Sequence, residues 1–176
     1  MTGRMLVAGV GNIFLGDDGF GVAVASRLAG ADLPSWVQVA DYGISGMHLA
    51  YDLADGYETA ILVDTAQRGE APGTLTVIEA GRPAEPAGAF AQTRMFDAHG
   101  MQPDVVLGVL DMLGASSARV LVVGCEPASL DHGMELSEPV AKAVDAAVGV
   151  VMDLIAEAGA ARSSGEGASH VSRHPR

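Results

Sequence analysis

Short apolar runs alternate along the chain with segments in which apolar residues recur at helical spacing. The apolar runs predict four strands, at 5–10, 36–40, 59–63 and 120–123, of which the first and the last are expected to be buried. Polar and apolar residues alternate in a fifth segment, 74–78, which predicts a more exposed antiparallel edge strand. Helical spacing predicts helices at 19–28, 45–53, 103–113 and 136–155. Strands that alternate with helices indicate an α/β fold, a three-layer α/β/α sandwich around a mainly parallel sheet.

Local signals set the expected limits of these elements. Ser45 is a candidate N-cap of the second helix, and Pro139 fits the first turn of the last one. The core-facing positions of that last helix are expected to be Leu136, Val140, Val144, Val148, Val151 and Ile155. Residues 81–98 show no clear period and predict a loop. Residues 1–159 are therefore expected to form one domain, and the Ser-, Gly-, Arg- and His-rich segment 160–176 a disordered tail.

Composition and charge narrow the class of protein. Hydrophobic residues make up 49% of the 176, which is enough for a substantial core, and the net charge is -12. Such an acidic chain disfavours nucleic acid or an anionic membrane as partner. The apolar run near the N-terminus is too short for a signal peptide or a membrane span. With Cys125 as its one cysteine, the chain has no disulfide framework, so we expect a soluble, cytoplasmic and monomeric protein.

Three polar residues follow predicted strands or precede a predicted helix. Asp18 closes a Gly- and Asp-rich turn after the first strand, Asp64 follows the third strand, and His99 stands just ahead of a helix. Ligands of such sheets bind beyond the carboxyl ends of the strands. Two carboxylates and an imidazole suit a borderline divalent metal such as nickel, zinc, cobalt or manganese. Each residue also has a plain structural interpretation, as a helix start, a turn residue or a surface histidine.

Other kinds of site fit the residues less well. The Gly9-Val10-Gly11 segment lacks the third glycine of a dinucleotide-binding loop. Cys125 is either a thiol nucleophile or, more in keeping with its place after a strand, a small buried residue. A receiver-like phosphorylation module would use the acidic turn and Asp64, but it needs a lysine after the last strand. The one lysine, Lys142, lies in the final predicted helix instead.

Seven motifs are spread over about residues 5–158, namely Leu6–Asn12, Leu15–Gly21, Asp41–Gly43, Ile61–Thr65, Pro72–Thr74, the turn at His99 and Gly124–Pro127. Together these motifs resemble those of the hydrogenase maturation endopeptidases. The resemblance implies the three-layer α/β/α fold and a metal-binding triad at Asp18, Asp64 and His99. The first of these positions is often Glu in the family, so Asp18 is the shorter acid here. The resemblance also implies that substrate backbone approaches Gly43.

The resemblance further implies a reaction, the removal of a C-terminal extension from a nickel-iron hydrogenase large-subunit precursor. We expect the triad to recognise nickel already loaded in that precursor, while zinc or another divalent ion can occupy the site in vitro. Asp18 and Asp64 are also the candidate catalytic residues, either through the metal or as an acid and base pair. Two alternatives remain open: a nickel-binding chaperone without proteolytic activity, and the receiver-like module.

Overall fold

The computed structural model describes residues 3–80 and 119–166. Its five strands are β1 (Arg4–Val10), β2 (Val37–Gly43), β3 (Tyr57–Thr65), β4 (Leu75–Glu79) and β5 (Arg119–Cys125). They form one sheet in the order β2-β1-β3-β5-β4, in which all neighbours are parallel except β4 and β5. The expected mainly parallel sheet with an antiparallel edge strand is therefore confirmed.

Helices cover both faces of the sheet. The helices of the described residues are α1 (Phe20–Leu28), α2 (Gly46–Ala54) and α3 (Glu138–Glu166), and a 3-10 turn at Gly16–Gly19 precedes α1. One core contains α1, α3 and the inward side chains of one sheet face, and a second core contains α2 and the opposite face. Both sides of each central strand are thus buried, which explains their continuous apolar sequences. None of these helices is both long and apolar enough to span a membrane.

One predicted helix limit differs from the structure. Ser45 occupies the N-cap position of α2, as predicted, although its side chain makes no capping hydrogen bond. The segment 160–176 was expected to be disordered from its start, whereas α3 continues to Glu166. The alanines before Arg162 favour helix, and the guanidinium of Arg162 lies over the Trp36 ring and donates to the Gly3 carbonyl. That contact anchors the last turns of α3 to the N-terminal end of the sheet.

The final helix otherwise buries the predicted face. Val140, Val144, Val151 and Ile155 are buried, and Leu136 and Val148 pack against the same core. The predicted loop at 81–98, the predicted helix at 103–113 and residues 167–176 lie outside the described residues.

Glycines allow α1 to approach the sheet closely. A Cβ added at Gly21 would lie 2.0 Å from the Val63 carbonyl oxygen, and one added at Gly9 would lie 2.4 Å from the Gly21 carbonyl oxygen. No other residue fits at such distances. The N-terminal end of α1, with the 3-10 turn that precedes it, is consequently held against the carboxyl ends of β1 and β3.

Candidate active site at the carboxyl edge of the sheet

Asp18 and Asp64 come together at the carboxyl edge, as the sequence predicted. Asp64 is the next-to-last residue of β3, and Asp18 lies in the 3-10 turn above it. Thr65 connects the two, because its hydroxyl donates to Asp18 Oδ1 at 3.0 Å and its backbone N–H donates to Asp64 Oδ1 at 2.7 Å. The Asn12 backbone N–H donates to Asp18 Oδ2 at 2.7 Å. Both carboxylates are partly buried and held in fixed orientations.

The pair carries unfavourable electrostatics. Burial, and then the negative charge of Asp18, raise the pKa of Asp64 well above its usual value, although the hydrogen bonds from Thr65 act in the opposite direction. Two acids in such contact are stabilised by a shared proton or by a cation. The arrangement can therefore bind a positive ion or exchange a proton with a substrate.

Gly11 and Gly43 lie beside this pair, at the carboxyl ends of β1 and β2. The Gly11 N–H donates to the Gly43 carbonyl at 2.9 Å, which joins the ends of β1 and β2. Gly11 has a φ of 135°, and a Cβ there would lie 1.8 Å from the Asp18 carbonyl oxygen and 3.6 Å from Asp64 Oδ1. Gly43 has a φ of 52°, and its N–H donates to Asp41 Oδ1 at 2.8 Å. The predicted substrate-binding glycine therefore lies next to the turn that leads to Asp18.

Asp17, the neighbour of Asp18, has a different environment that the sequence did not reveal. Its side chain is 1% exposed. Its Oδ1 accepts from the Ser137 N–H at 2.7 Å, and its Oδ2 accepts from the N–H groups of Ala128 (2.8 Å) and Ser129 (3.0 Å) and from the Ser137 hydroxyl (2.9 Å). Burial acts to raise the pKa of Asp17, but these hydrogen bonds outweigh it and hold the pKa below its usual value.

Asp17 thus fastens the Asp18 turn to the segment between β5 and α3. Two backbone hydrogen bonds support it, one from the Gly16 N–H to the Gly133 carbonyl (2.8 Å) and one from the Gly133 N–H to the Phe14 carbonyl (2.9 Å). The sequence does not reveal that Asp17 and Asp18 have different environments, because the groups that donate to Asp17 belong to residues more than a hundred positions away.

The Gly124–Pro127 motif has a structural role in the described residues. The Glu126 side chain is nearly buried and accepts from the Arg68 N–H at 2.7 Å, which fixes the loop after β3. Cys125 is fully buried, and burial, then Asp17 and Glu126, raise the pKa of its thiol to about 11. The interpretation of Cys125 as a small buried residue is therefore supported over that of a nucleophile. Lys142, the one lysine considered for a receiver-like module, lies on α3 and pairs with Glu138 at 2.6 Å.

The third predicted ligand, His99, lies outside the described residues. Within residues 3–80 and 119–166, no three His, Cys, Asp or Glu side chains come together as a metal-binding group. The structure therefore brings together two of the three triad members.

Comparison with known proteins gives a consistent result. The family model described as hydrogenase maturation protease matches residues 22–154. A putative hydrogenase maturation protease of Methanocaldococcus jannaschii is 34% identical over 152 residues, covering 84% of this chain and 94% of the relative. The hydrogenase 2 maturation protease of Escherichia coli is 31% identical over 157 residues, covering 89% and 93%. Among solved structures, the hydrogenase maturating endopeptidase of Escherichia coli aligns with a TM-score of 0.69 and 28% identity, covering 89% and 94% of the two chains.

Proposed function

The chain belongs to the hydrogenase maturation protease family, and from that membership we propose that it removes the C-terminal extension of a nickel-iron hydrogenase large-subunit precursor. The precursor is cut once it carries nickel, and the nickel is part of the substrate. Asp18, Asp64 and His99 recognise that ion. The observation that carries the proposal is the pairing of Asp18 and Asp64 through Thr65 at the carboxyl edge of the sheet.

Charge balance favours a cation as the group recognised. Two partly buried carboxylates beside each other repel, and a divalent ion on the substrate offsets that repulsion when it binds between them. Carboxylate oxygens and an imidazole nitrogen form a donor set that suits nickel. A precursor without the ion leaves the repulsion in place, so the same site discriminates against unloaded substrate.

The protein's own groups orient the two acids. The Asn12 N–H and the Thr65 hydroxyl each occupy one oxygen of Asp18, and the Thr65 N–H occupies Asp64 Oδ1. Binding therefore requires little reorganisation of the carboxylates. The same acids serve as the acid and base pair if the reaction proceeds without a catalytic metal. Gly43 leaves space for the substrate backbone beside them.

The test is proteolysis of purified precursor with and without nickel. We expect the nickel-loaded precursor to lose a C-terminal peptide, seen as a decrease in intact mass, and the nickel-free precursor to remain whole. The variants Asp18→Asn, Asp64→Asn and His99→Ala should each lower the rate at least a hundredfold. Asp145→Asn is the matched control, because it changes an exposed aspartate on α3 and should cleave at the normal rate.

Two results would replace the proposal. A protein that binds nickel-loaded precursor but never shortens it would be a chaperone. Labelling of Asp64 by acetyl phosphate, without cleavage, would indicate a receiver module. Normal cleavage by His99→Ala would remove His99 from the site and leave the acid pair as the reacting groups.

A further inference from the structure

Large apolar side chains that remain in contact with water are concentrated around the candidate site. Seven such side chains are exposed in the described residues, and six of them lie either in loops at the carboxyl edge of the sheet or on the first two turns of α2, which begins at that edge. They are Ile13 (40% exposed), Phe14 (58%), Ile44 (72%), Met47 (44%), Tyr51 (54%) and Met134 (68%), which we call the edge surface. The seventh is Val77 on β4. Apolar groups gathered in this way indicate a binding surface.

Backbone contacts place the parts of the edge surface next to one another and next to Asp18. The hydrogen bond from the Gly133 N–H to the Phe14 carbonyl sets Phe14 beside Met134. The hydrogen bond from Gly11 to Gly43 joins the Ile13 loop to the Ile44 loop. Met47 and Tyr51 are one helical turn apart on α2. Backbone hydrogen bonds therefore join the loops of the edge surface to one another and to the turn that carries Asp18.

The edge surface is also fixed before any partner arrives. Buried Asp17 holds the turn after Phe14 against the segment that carries Met134. A surface that is already ordered loses little conformational entropy on binding. Phe14 and Met134 are thus presented in a defined arrangement beside the turn that carries Asp18.

Charge identifies the kind of partner. The three segments that form the edge surface, 11–19, 41–51 and 126–137, contain no Lys or Arg, and Asp41, Asp131 and Glu135 are exposed within them. A second copy of this chain would bring the same negative charge and be repelled. Nucleic acid and anionic lipid are disfavoured for the same reason. The fitting partner presents apolar side chains flanked by positive charge.

We propose that the edge surface is the docking surface for the hydrogenase large-subunit precursor, which places an apolar segment with basic flanks beside the turn that carries Asp18. This inference rests on the proposed function, because only the substrate must bring its peptide bond to the acid pair. Docking through these side chains supplies affinity that the recognised ion alone does not provide.

The experiment measures precursor binding separately from cleavage. Nickel-free precursor, which the proposed reaction leaves whole, is immobilised, and its Kd is measured for the full chain and for the variants Phe14→Ser and Ile44→Ser. Cleavage of nickel-loaded precursor by the same proteins is followed in a parallel assay. Loss of one buried apolar side chain should raise Kd about tenfold. Val77→Ser is the matched control, since it removes a similarly exposed apolar group from β4, and it should stay within twofold of the parent chain. Glu135→Lys should slow association, with an effect that shrinks at high salt.

Each outcome is decisive. Unchanged Kd in both Phe14→Ser and Ile44→Ser, or an equal loss in Val77→Ser, overturns the docking surface. Binding that follows the expected pattern without any cleavage supports the surface and overturns the proposed protease activity. A chain that self-associates, and whose Phe14→Ser variant becomes monomeric while binding precursor normally, has a second copy as its occupant, which also overturns the inference.

Discussion

Replacement of Asp17 by Asn should strongly destabilise the fold although it changes one atom. The carboxylate is 1% exposed and accepts four hydrogen bonds, three of them at Oδ2. An amide provides one acceptor oxygen, and its NH2 group would face the Ser137 N–H that now donates to Oδ1. The variant therefore loses the negative charge and places its own NH2 donor next to the Ser137 N–H donor, which then has no acceptor.

The magnitude follows from these contacts. A hydrogen bond to a charged group contributes about 1.5–3 kcal/mol and a neutral one about 0.5–1.5, so the three retained bonds each weaken by about 1 kcal/mol. The unsatisfied Ser137 N–H adds about 1–3 kcal/mol. Partial relaxation should leave a net loss of about 3–5 kcal/mol, which is a large part of the roughly 5–15 kcal/mol that stabilises a typical domain.

Equilibrium unfolding in urea, followed by Trp36 fluorescence and by circular dichroism, measures this loss. Asp131→Asn is the matched control. Asp131 is exposed, lies in the segment between β5 and α3 that donates hydrogen bonds to Asp17, and accepts one side-chain hydrogen bond, from Ser129. The control variant should change the free energy of unfolding by less than about 0.5 kcal/mol. If Asp17→Asn lay equally close to the parent chain with the same m-value, the four hydrogen bonds would not be what fastens the Asp18 turn.

Three further predictions concern single side chains. Thr65→Val removes the hydroxyl that orients Asp18 and should lower the initial cleavage rate about tenfold, whereas Thr65→Ser should keep it; equal rates would deny the hydroxyl this role. The thiol of Cys125 is fully buried and its pKa is raised to about 11, so it should resist iodoacetamide at pH 8 in the folded protein and react readily at pH 8 after unfolding in urea; equal rates in the two states would contradict this burial. Gly11→Ala should lower both Tm and the cleavage rate, because the added Cβ would collide with the Asp18 carbonyl. Gly56→Ala is the control: Gly56 also has a positive φ, of 99°, but no atom lies within 4 Å of an added Cβ, so the variant should show the modest cost of backbone strain without loss of cleavage.

Features encoded by local periodicity were predictable from the sequence. The strands β1, β3 and β5 are buried on both faces and read as continuous apolar runs. The partial exposure of β4 was also predictable, but the pattern did not identify the exposed residues, which include the apolar Val77. The α3 face repeats at spacings of three and four residues. The proximity of Asp18 and Asp64 was also predictable, because residues at the carboxyl ends of neighbouring parallel strands must lie close together.

Features that depend on distant partners were not predictable from local patterns. The end of α3 is an example, since Arg162 finds the Trp36 ring and the Gly3 carbonyl only after the sheet has formed. The edge surface likewise requires the fold, since Phe14 and Met134 look like ordinary apolar residues until β5 and the Asp18 turn meet.

The two consecutive aspartates have contrasting environments, which match the different roles that the proposed function gives them. Both carboxylate oxygens of Asp17 accept hydrogen bonds from its own chain, and these hydrogen bonds hold its pKa below the usual value. Asp18 receives two hydrogen bonds and faces Asp64, whose pKa is raised by burial and by Asp18 itself. One carboxylate is therefore completely satisfied, and its neighbour lies in an unfavourable pair. Under the proposed function, the ion carried by the loaded precursor relieves that pair, so its cost in the free protein becomes the basis for discrimination between loaded and unloaded precursor.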